Sequence, residues 1–334
     1  MRAKKLAAIA ALTGIAFAEQ AAAIVIGDGA WDADYINLAN SAAYNSVGQI
    51  YGTSGSGGFA ASGVIVAPDW VLTAAHVTAG ASSLEFYTDA GGTNFGRPGI
   101  AADGWYTYPQ WNGNISAGYD IGLMHLSTSV GCGSASSDAG GCAAARYTGS
   151  GEINQLGTLV GYGMTGTGST GASVFDGMRR AGLNMVDSLY GAGDRLLLAD
   201  FDSGSYRDNA LGSRFPVSFE ATIGPGDSGG GLFETINGRN YLTGITSFSW
   251  SSIDGNPNST YGDGSGWTRV SAFNSWIDGV TGGNAFAASF GKSGTDGSMF
   301  AAAAVPEPTT WGLLISGLGM LGFVGRRRRR ADTA

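Results

Sequence analysis

The chain has 334 residues, enough for one large domain or two small ones with a proper apolar core. It holds 58 glycines, only 13% charged residues and a formal net charge of -8, which suits short strands joined by tight turns better than a helical bundle. Residues 24–305 carry 10 Arg and Lys against 23 Asp and Glu, and an acidic body of this kind excludes nucleic acid and anionic membrane as partners.

The N-terminus pairs a basic start, Arg2, Lys4 and Lys5, with an apolar run from Leu6 to Leu12 and small residues at Ala16-Phe17-Ala18 and Ala21-Ala22-Ala23. That order is the pattern of a secretory signal cut by signal peptidase, and it predicts an exported protein whose residues 1–23 are removed. Ile24-Val25-Ile26-Gly27 follows directly and reads as an edge strand or a mature N-terminus.

Short β-branched or aromatic runs bounded by Gly, Pro, Asn or Asp then predict strands at 63–67, 69–73, 157–162 and 241–245. The second of these leads into Thr73-Ala74-Ala75-His76, where alanines leave room beside an imidazole. The other histidine, His125, lies within an alternating strand pattern and is the poorer candidate for a base. Asp120 leads straight into the apolar run Ile121-Gly122-Leu123, a position from which a carboxylate can be taken inside.

Cys132 and Cys142 sit close together in a Gly, Ala and Ser stretch, and in an exported chain they predict a local disulfide. No metal-ligand cluster, dinucleotide fingerprint or P-loop is present, so neither a metal nor a cofactor is expected.

Gly224-Pro225-Gly226-Asp227-Ser228-Gly229-Gly230-Gly231 is the most informative stretch. Its glycines allow a tight turn and let a carbonyl approach the amides of Gly226 and Ser228, which could form an oxyanion hole. A serine hydroxyl is a weak nucleophile and requires a base, and that base requires a carboxylate to fix its tautomer. From Val270 to Val280 an apolar face of Val270, Phe273, Trp276, Ile277 and Val280 predicts a C-terminal helix. Residues 281–304 read as a Gly, Ala and Ser linker, which places the folded unit at about 24–280.

The chain closes on Val305-Pro306-Glu307-Pro308, an apolar stretch from Thr309 to Gly325, and the arginines 326–330. The apolar stretch is at the short limit for a bilayer span, with the arginines holding its end on the cytoplasmic side.

Thr73-Ala74-Ala75-His76, Asp120-Ile121-Gly122-Leu123 and Gly226-Asp227-Ser228-Gly229-Gly230, in that order, resemble the chymotrypsin-like serine proteases. Gly161-Tyr162-Gly163, Gly244 to Phe248, Trp267 to Val270 and Trp276-Ile277 extend the likeness over most of residues 50–280. The resemblance implies an all-β fold of two six-stranded antiparallel barrels with a C-terminal helix and a site in the cleft between them. It implies a secreted serine endopeptidase with His76 as base, Asp120 as its orienting partner, Ser228 as nucleophile, and protein or peptide substrates.

By the same resemblance Thr222 forms the base of the primary specificity pocket, Ser249 and Ser265 lie near its walls, and Ser247 belongs to the strand that pairs with substrate backbone. With no acid at the base, cleavage after apolar or small polar residues is expected. The disulfide usual beside the histidine in that family is absent, since the sequence has Ala60-Ala61 and Val77 there. The resemblance further implies that a free Ile24 amine pairs with Asp227.

The C-terminal 30 residues resemble the PEP-CTERM sorting signal of Gram-negative bacteria. This implies handling by an exosortase-type enzyme, transient inner-membrane association through the C-terminal helix, and delivery to the envelope or outside. The competing readings are a catalytically inactive trypsin-fold binding or matrix protein at the cell surface, and an esterase on the same scaffold.

Overall fold

The computed structural model describes residues 23–88, 98–131, 142–251 and 253–283. Cys132, and with it the expected bridge to Cys142, lies outside the described residues, as do the signal segment, the linker and the sorting tail. Among the described residues no helix is long and apolar enough to cross a membrane.

After a short strand β1 (Val25–Ile26) and helix α1 (Asp32–Ala39), the first half is built from β2 (Val47–Ser54), β3 (Gly57–Ala67), β4 (Trp70–Thr73), β5 (Ala81–Tyr87), β6 (Ile100–Thr107) and β7 (Gly122–Leu126). These close into an antiparallel barrel in the order β2-β3-β4-β7-β6-β5. Closure removes the exposed edges that open sheets must protect. Val47, Ile50, Val64, Val71, Leu72, Leu84, Phe86 and Leu123 fill it, each no more than 1% exposed. Glycine makes room for the larger side chains: any side chain at Gly48 would run into the Phe86 ring.

A four-residue helical turn α2 (Ala75–Thr78) follows β4 directly. The second half contributes β8 (Leu156–Gly161), β9 (Thr165–Thr167), β10 (Gly171–Val174), β11 (Arg180–Met185), β12 (Ser188–Tyr190), β13 (Leu196–Asp200), β14 (Ala221–Thr222), β15 (Gly231–Ile236), β16 (Arg239–Ser251) and β17 (Asp263–Arg269). Here the main sheet runs β11-β8-β15-β16-β17-β13-β12, with seven strands where the family pattern implies six. The addition is β12, which forms a hairpin with β13 at the sheet's end. Counting β11 as the first strand, the sixth is β13, and the Asn184 side chain on β11 donates to the carbonyls of Asp200 at the end of β13 and Ala221 on β14. Trp267, Leu159, Leu197 and Leu232, all fully buried, fill the interior.

A small third sheet, β10-β9-β1-β14, ties the start of the described chain to the second half, with Val25 opposite Thr222 and Ile26 opposite Ala221. The chain then leaves β17 through a 3-10 turn, Val270–Phe273, into helix α3 (Asn274–Thr281). Val270, Phe273 and Ile277 are buried against the same core that fills the first barrel. The helix ends at Gly282, whose positive φ of 63° suits a left-handed C-cap.

Candidate active site

His76 is carried by α2, one residue past the buried Ala75, and Ala74, still extended, links that helical turn to the end of β4. Asp120 precedes β7, the strand paired with β4, so the two segments emerge side by side. The Asp120 carboxylate is fully buried and accepts from both the backbone and the ring of His76: Oδ1 from the amide at 2.9 Å, Oδ2 facing Nδ1 at 2.8 Å. Ser247 Oγ donates to Oδ2 at 2.5 Å, and Thr268 Oγ1 donates to the Asp120 carbonyl at 2.8 Å. Strands β16 and β17 of the second half therefore hold an acid that belongs to the first. A carboxylate on Nδ1 fixes the tautomer that puts the ring's lone pair on Nε2, where it can accept a proton.

Ser228 lies in the turn before β15, and the turn is fastened to both halves. Its carbonyl accepts from the Ser62 amide at 2.8 Å, and Ser62 Oγ donates to the Gly226 carbonyl at 3.1 Å while accepting from the Tyr162 amide at 2.9 Å. On the other side, the Gly229 amide donates to the Thr246 carbonyl at 2.8 Å. Gly229 has φ of 83°, and a side chain there would strike Thr73 Oγ1 and the Ser62 carbonyl, so only glycine fits. Among the described residues neither the Gly226 nor the Ser228 amide has an internal acceptor, and both residues line the cleft.

Asp227 points the opposite way, into the second half, where it is fully buried. Its carboxylate accepts from the amides of Gly163 at 2.7 Å, Gly224 at 2.8 Å and Ile24 at 3.1 Å. Burial pushes its pKa up to about 6 against these three donors.

His76 and Ser228 line one cleft of about 440 Å³, together with Thr246, Ser247, Phe248 and Ser249. No Asp, Glu, Lys or Arg is among the described residues that line it. Thr222 and Ser265 lie behind the cleft wall, both at most 1% exposed, with their hydroxyls 2.7 Å apart and Ser265 Oγ accepting from the Ile223 amide. Ser249, opposite Ser265 in the β16–β17 register, and Ile223 present the surface instead.

His125 stands on the far side of β7. Its Nδ1 faces Asp103 at 2.5 Å, its Nε2 lies 3.5 Å from Asp69, and its ring packs edge-on against Trp70. It is a surface residue of the barrel and does not line the cleft.

Sequence reasoning passed over Ser62 and Thr268. A Ser inside an apolar strand, flanked by Ala61 and Gly63, is the signal for Ser62, since a buried hydroxyl must find partners. Nothing local marks Thr268, whose partner lies 148 residues away.

Residues 36–277 match the family model described as Trypsin. The chain belongs to the trypsin family. Residues 304–330 match the PEP-CTERM protein-sorting motif, which indicates export and targeting to the cell envelope of Gram-negative bacteria. Among curated proteins, the chain is 28% identical over 262 residues to chymotrypsin-like elastase family member 1 of Felis catus, covering 72% of this chain and 83% of the relative. It is 29% identical over 266 residues to the same protein of Canis lupus familiaris, covering 72% and 86%. Among solved structures, HL collagenase superposes with a TM-score of 0.52 at 18% identity, covering 71% of this chain and 94% of that one, a likeness of fold. The trypsin-family assignment accounts for the closed first barrel, the barrel-like second half and the terminal helix together.

Proposed function

We propose that this trypsin-family protein is an exported serine endopeptidase in which His76, Asp120 and Ser228 act as one unit. The observation that carries the reading is the 2.8 Å contact between Asp120 and His76 Nδ1, in a cleft that Ser228 also lines. Nε2 of His76 takes the proton from Ser228 Oγ as the oxygen attacks the substrate carbonyl. The oxyanion that forms is held by the free amides of Gly226 and Ser228. When the C–N bond breaks, its electron pair stays on nitrogen and the imidazolium gives that nitrogen the proton. Water then repeats the sequence on the acyl-enzyme.

The primary pocket is closed below by the Thr222–Ser265 hydroxyl pair and faced by Ile223 and Ser249. A neutral floor offers no counter-charge to Arg or Lys, so cleavage follows small or apolar residues. Asp227 is a buried carboxylate served by amides, with Arg180 as a nearby positive charge, and a free amine at Ile24 would add a charge in direct contact with it. Processing after Ala23 gives that amine, and N-terminal sequencing of the exported protein should therefore begin at Ile24. The sorting tail is handled by an exosortase-type enzyme after transient membrane association.

A fluorophosphonate probe, which reacts only with an activated serine, tests the central claim. Labelling of the parent protein, lost in Ser228→Ala, is the expected result; an unlabelled parent that is folded would instead favour the inactive binding or matrix protein.

A further inference from the structure

Asp227 sits between Gly226 and Ser228 in the turn, and its carboxylate lies over Gly161 at the end of β8 and Gly163 just beyond, where any added side chain would strike it. Directly across the β8–β11 ladder from Gly161 stands Arg180. Paired residues in an antiparallel ladder present their side chains to the same face, so the Arg180 side chain leaves β11 on the face that Asp227 occupies. The chain runs unbroken from Ala23 into Ile24, both buried, and Ile24 therefore meets Asp227 as a neutral peptide amide.

Arg180 is 2% exposed, and its charge has a built socket. Nε and Nη2 donate to the two oxygens of Asp32 at 2.5 and 2.7 Å, and Nη1 and Nη2 donate to those of Asp176 at 2.9 and 2.6 Å. Asp32 opens α1, and Asp176 lies between β10 and β11. A planar fork gripped by two carboxylates is fixed in position as well as in charge. Arg179 ties down the other end of α1, donating to the carbonyls of Ala39 at 2.9 Å and Val47 at 2.8 Å, so the helix keeps an anchor that does not depend on Arg180. Burial raises the Asp227 pKa, and the Arg180 guanidinium opposes that rise.

We propose that Arg180 is a positioning residue that lets the uncut chain form its oxyanion hole: a fixed positive charge beside Asp227 keeps the carboxylate accepting from Gly163, Gly224 and Ile24, and the turn so braced keeps the Gly226 and Ser228 amides in the cleft. The inference rests on the peptidase reading above. A protonated Asp227 would set an O–H against amides that can only donate, and the turn would lose its brace. Processing before Ile24 then adds to a site that is already assembled.

Steady-state hydrolysis of an alanyl peptide anilide tests this on the full-length chain, its Ala23–Ile24 bond shown intact by mass spectrometry before and after the assay, beside the exported protein. The expected kcat of the uncut chain is within about tenfold of that of the exported protein. Uncut Arg180→Gln should lose about a hundredfold in kcat with little change in KM, because the oxyanion is bound in the transition state. Arg180→Lys keeps the charge without the fork and should recover most of that loss, which a purely structural clamp would not. Asp227 faces Arg180 of β11, which brings Asp32 and Asp176 with it, while β1, β8 and the turn face it with the amides of Ile24, Gly163 and Gly224. Asp176→Asn takes one negative charge from this group while Arg180 keeps its fork on Asp32, so the acid limb of kcat should move to lower pH. That variant decides the matter should Arg180→Gln not fold by circular dichroism. An uncut chain that is inert while the exported protein is active, Arg180→Gln as active as the parent, Arg180→Lys no better than Arg180→Gln, or an unmoved acid limb in Asp176→Asn would each overturn the role of Arg180 and leave the peptidase reading standing. Inertness of both forms of the parent would overturn the peptidase reading and this role with it.

Discussion

Asp120 is held by three groups from three places: the His76 amide, Ser247 Oγ and, through its carbonyl, Thr268 Oγ1. These contacts orient the carboxylate against the imidazole, and their removal should be graded. Asp120→Asn offers an amide where Nδ1–H needs an acceptor, and kcat should fall by about 10⁴ with little change in KM. Ser247→Ala removes one donor and leaves the other bonds intact. A hydrogen bond to a charged group contributes about 1.5–3 kcal/mol, so a loss of about 10- to 100-fold in kcat is expected from steady-state peptide hydrolysis. Ser62→Ala acts on stability as well, because it strands the buried Tyr162 amide and the Gly226 carbonyl at about 1–3 kcal/mol each. His125, by contrast, faces two surface aspartates, and His125→Ala should leave turnover unchanged.

At the scale of elements, the turn Gly224–Gly230 is a joint. Ser62 of β3 binds it from the first half, Thr246 of β16 from the second, and Asp227 anchors it internally through the Gly224 amide. Gly229→Ala would force a side chain onto the Ser62 carbonyl while adopting a left-handed φ, so loss of the folded protein, read by circular dichroism, is expected. A second joint lies at the end of β17, where Arg269 makes a two-pronged pair with the fully buried Glu152, at 2.7 and 2.9 Å. Glu152→Ala leaves that guanidinium without its main partner and should cost about 3–5 kcal/mol in urea unfolding.

Over the whole molecule, the second half concentrates carboxyl groups with raised pKa values: Asp187 and Asp202 at about 7, Asp200 at about 6, and Glu220 at about 9. Burial is the first cause in each case, with the neighbouring acids opposing a second negative charge at Asp187, Asp202 and Glu220. A carboxyl whose folded pKa exceeds its unfolded value stabilises the fold fully below the unfolded pKa and loses that contribution as pH rises through the folded pKa. For this group the loss spans from about pH 4 to about pH 9. The thermal midpoint should therefore be higher near pH 5 than near pH 9, and Glu220→Gln, neutral throughout, should flatten the alkaline part of the decline.

Much of this was legible along the chain because the information was local. His76, Asp120 and Ser228 each stand in a short motif of small or apolar neighbours, and short β-branched or aromatic runs bounded by turn residues identified β3, β4, β8 and β16 as strands. Helix α1 escaped notice because only Tyr35 and Ala39 of its eight residues are buried, too few to produce a period. The sequence by itself determined an all-β exported chain, its sorting tail, and which side chains were candidates for the chemistry, since each depends on neighbours within a few residues. Only the tertiary structure decided that Thr222 and Ser265 close on each other behind the cleft wall, and that Ser62 and Thr268 brace the site. Those facts depend on strands more than 40 residues apart meeting at one register, and a one-residue shift in pairing would turn each of these side chains to the other face.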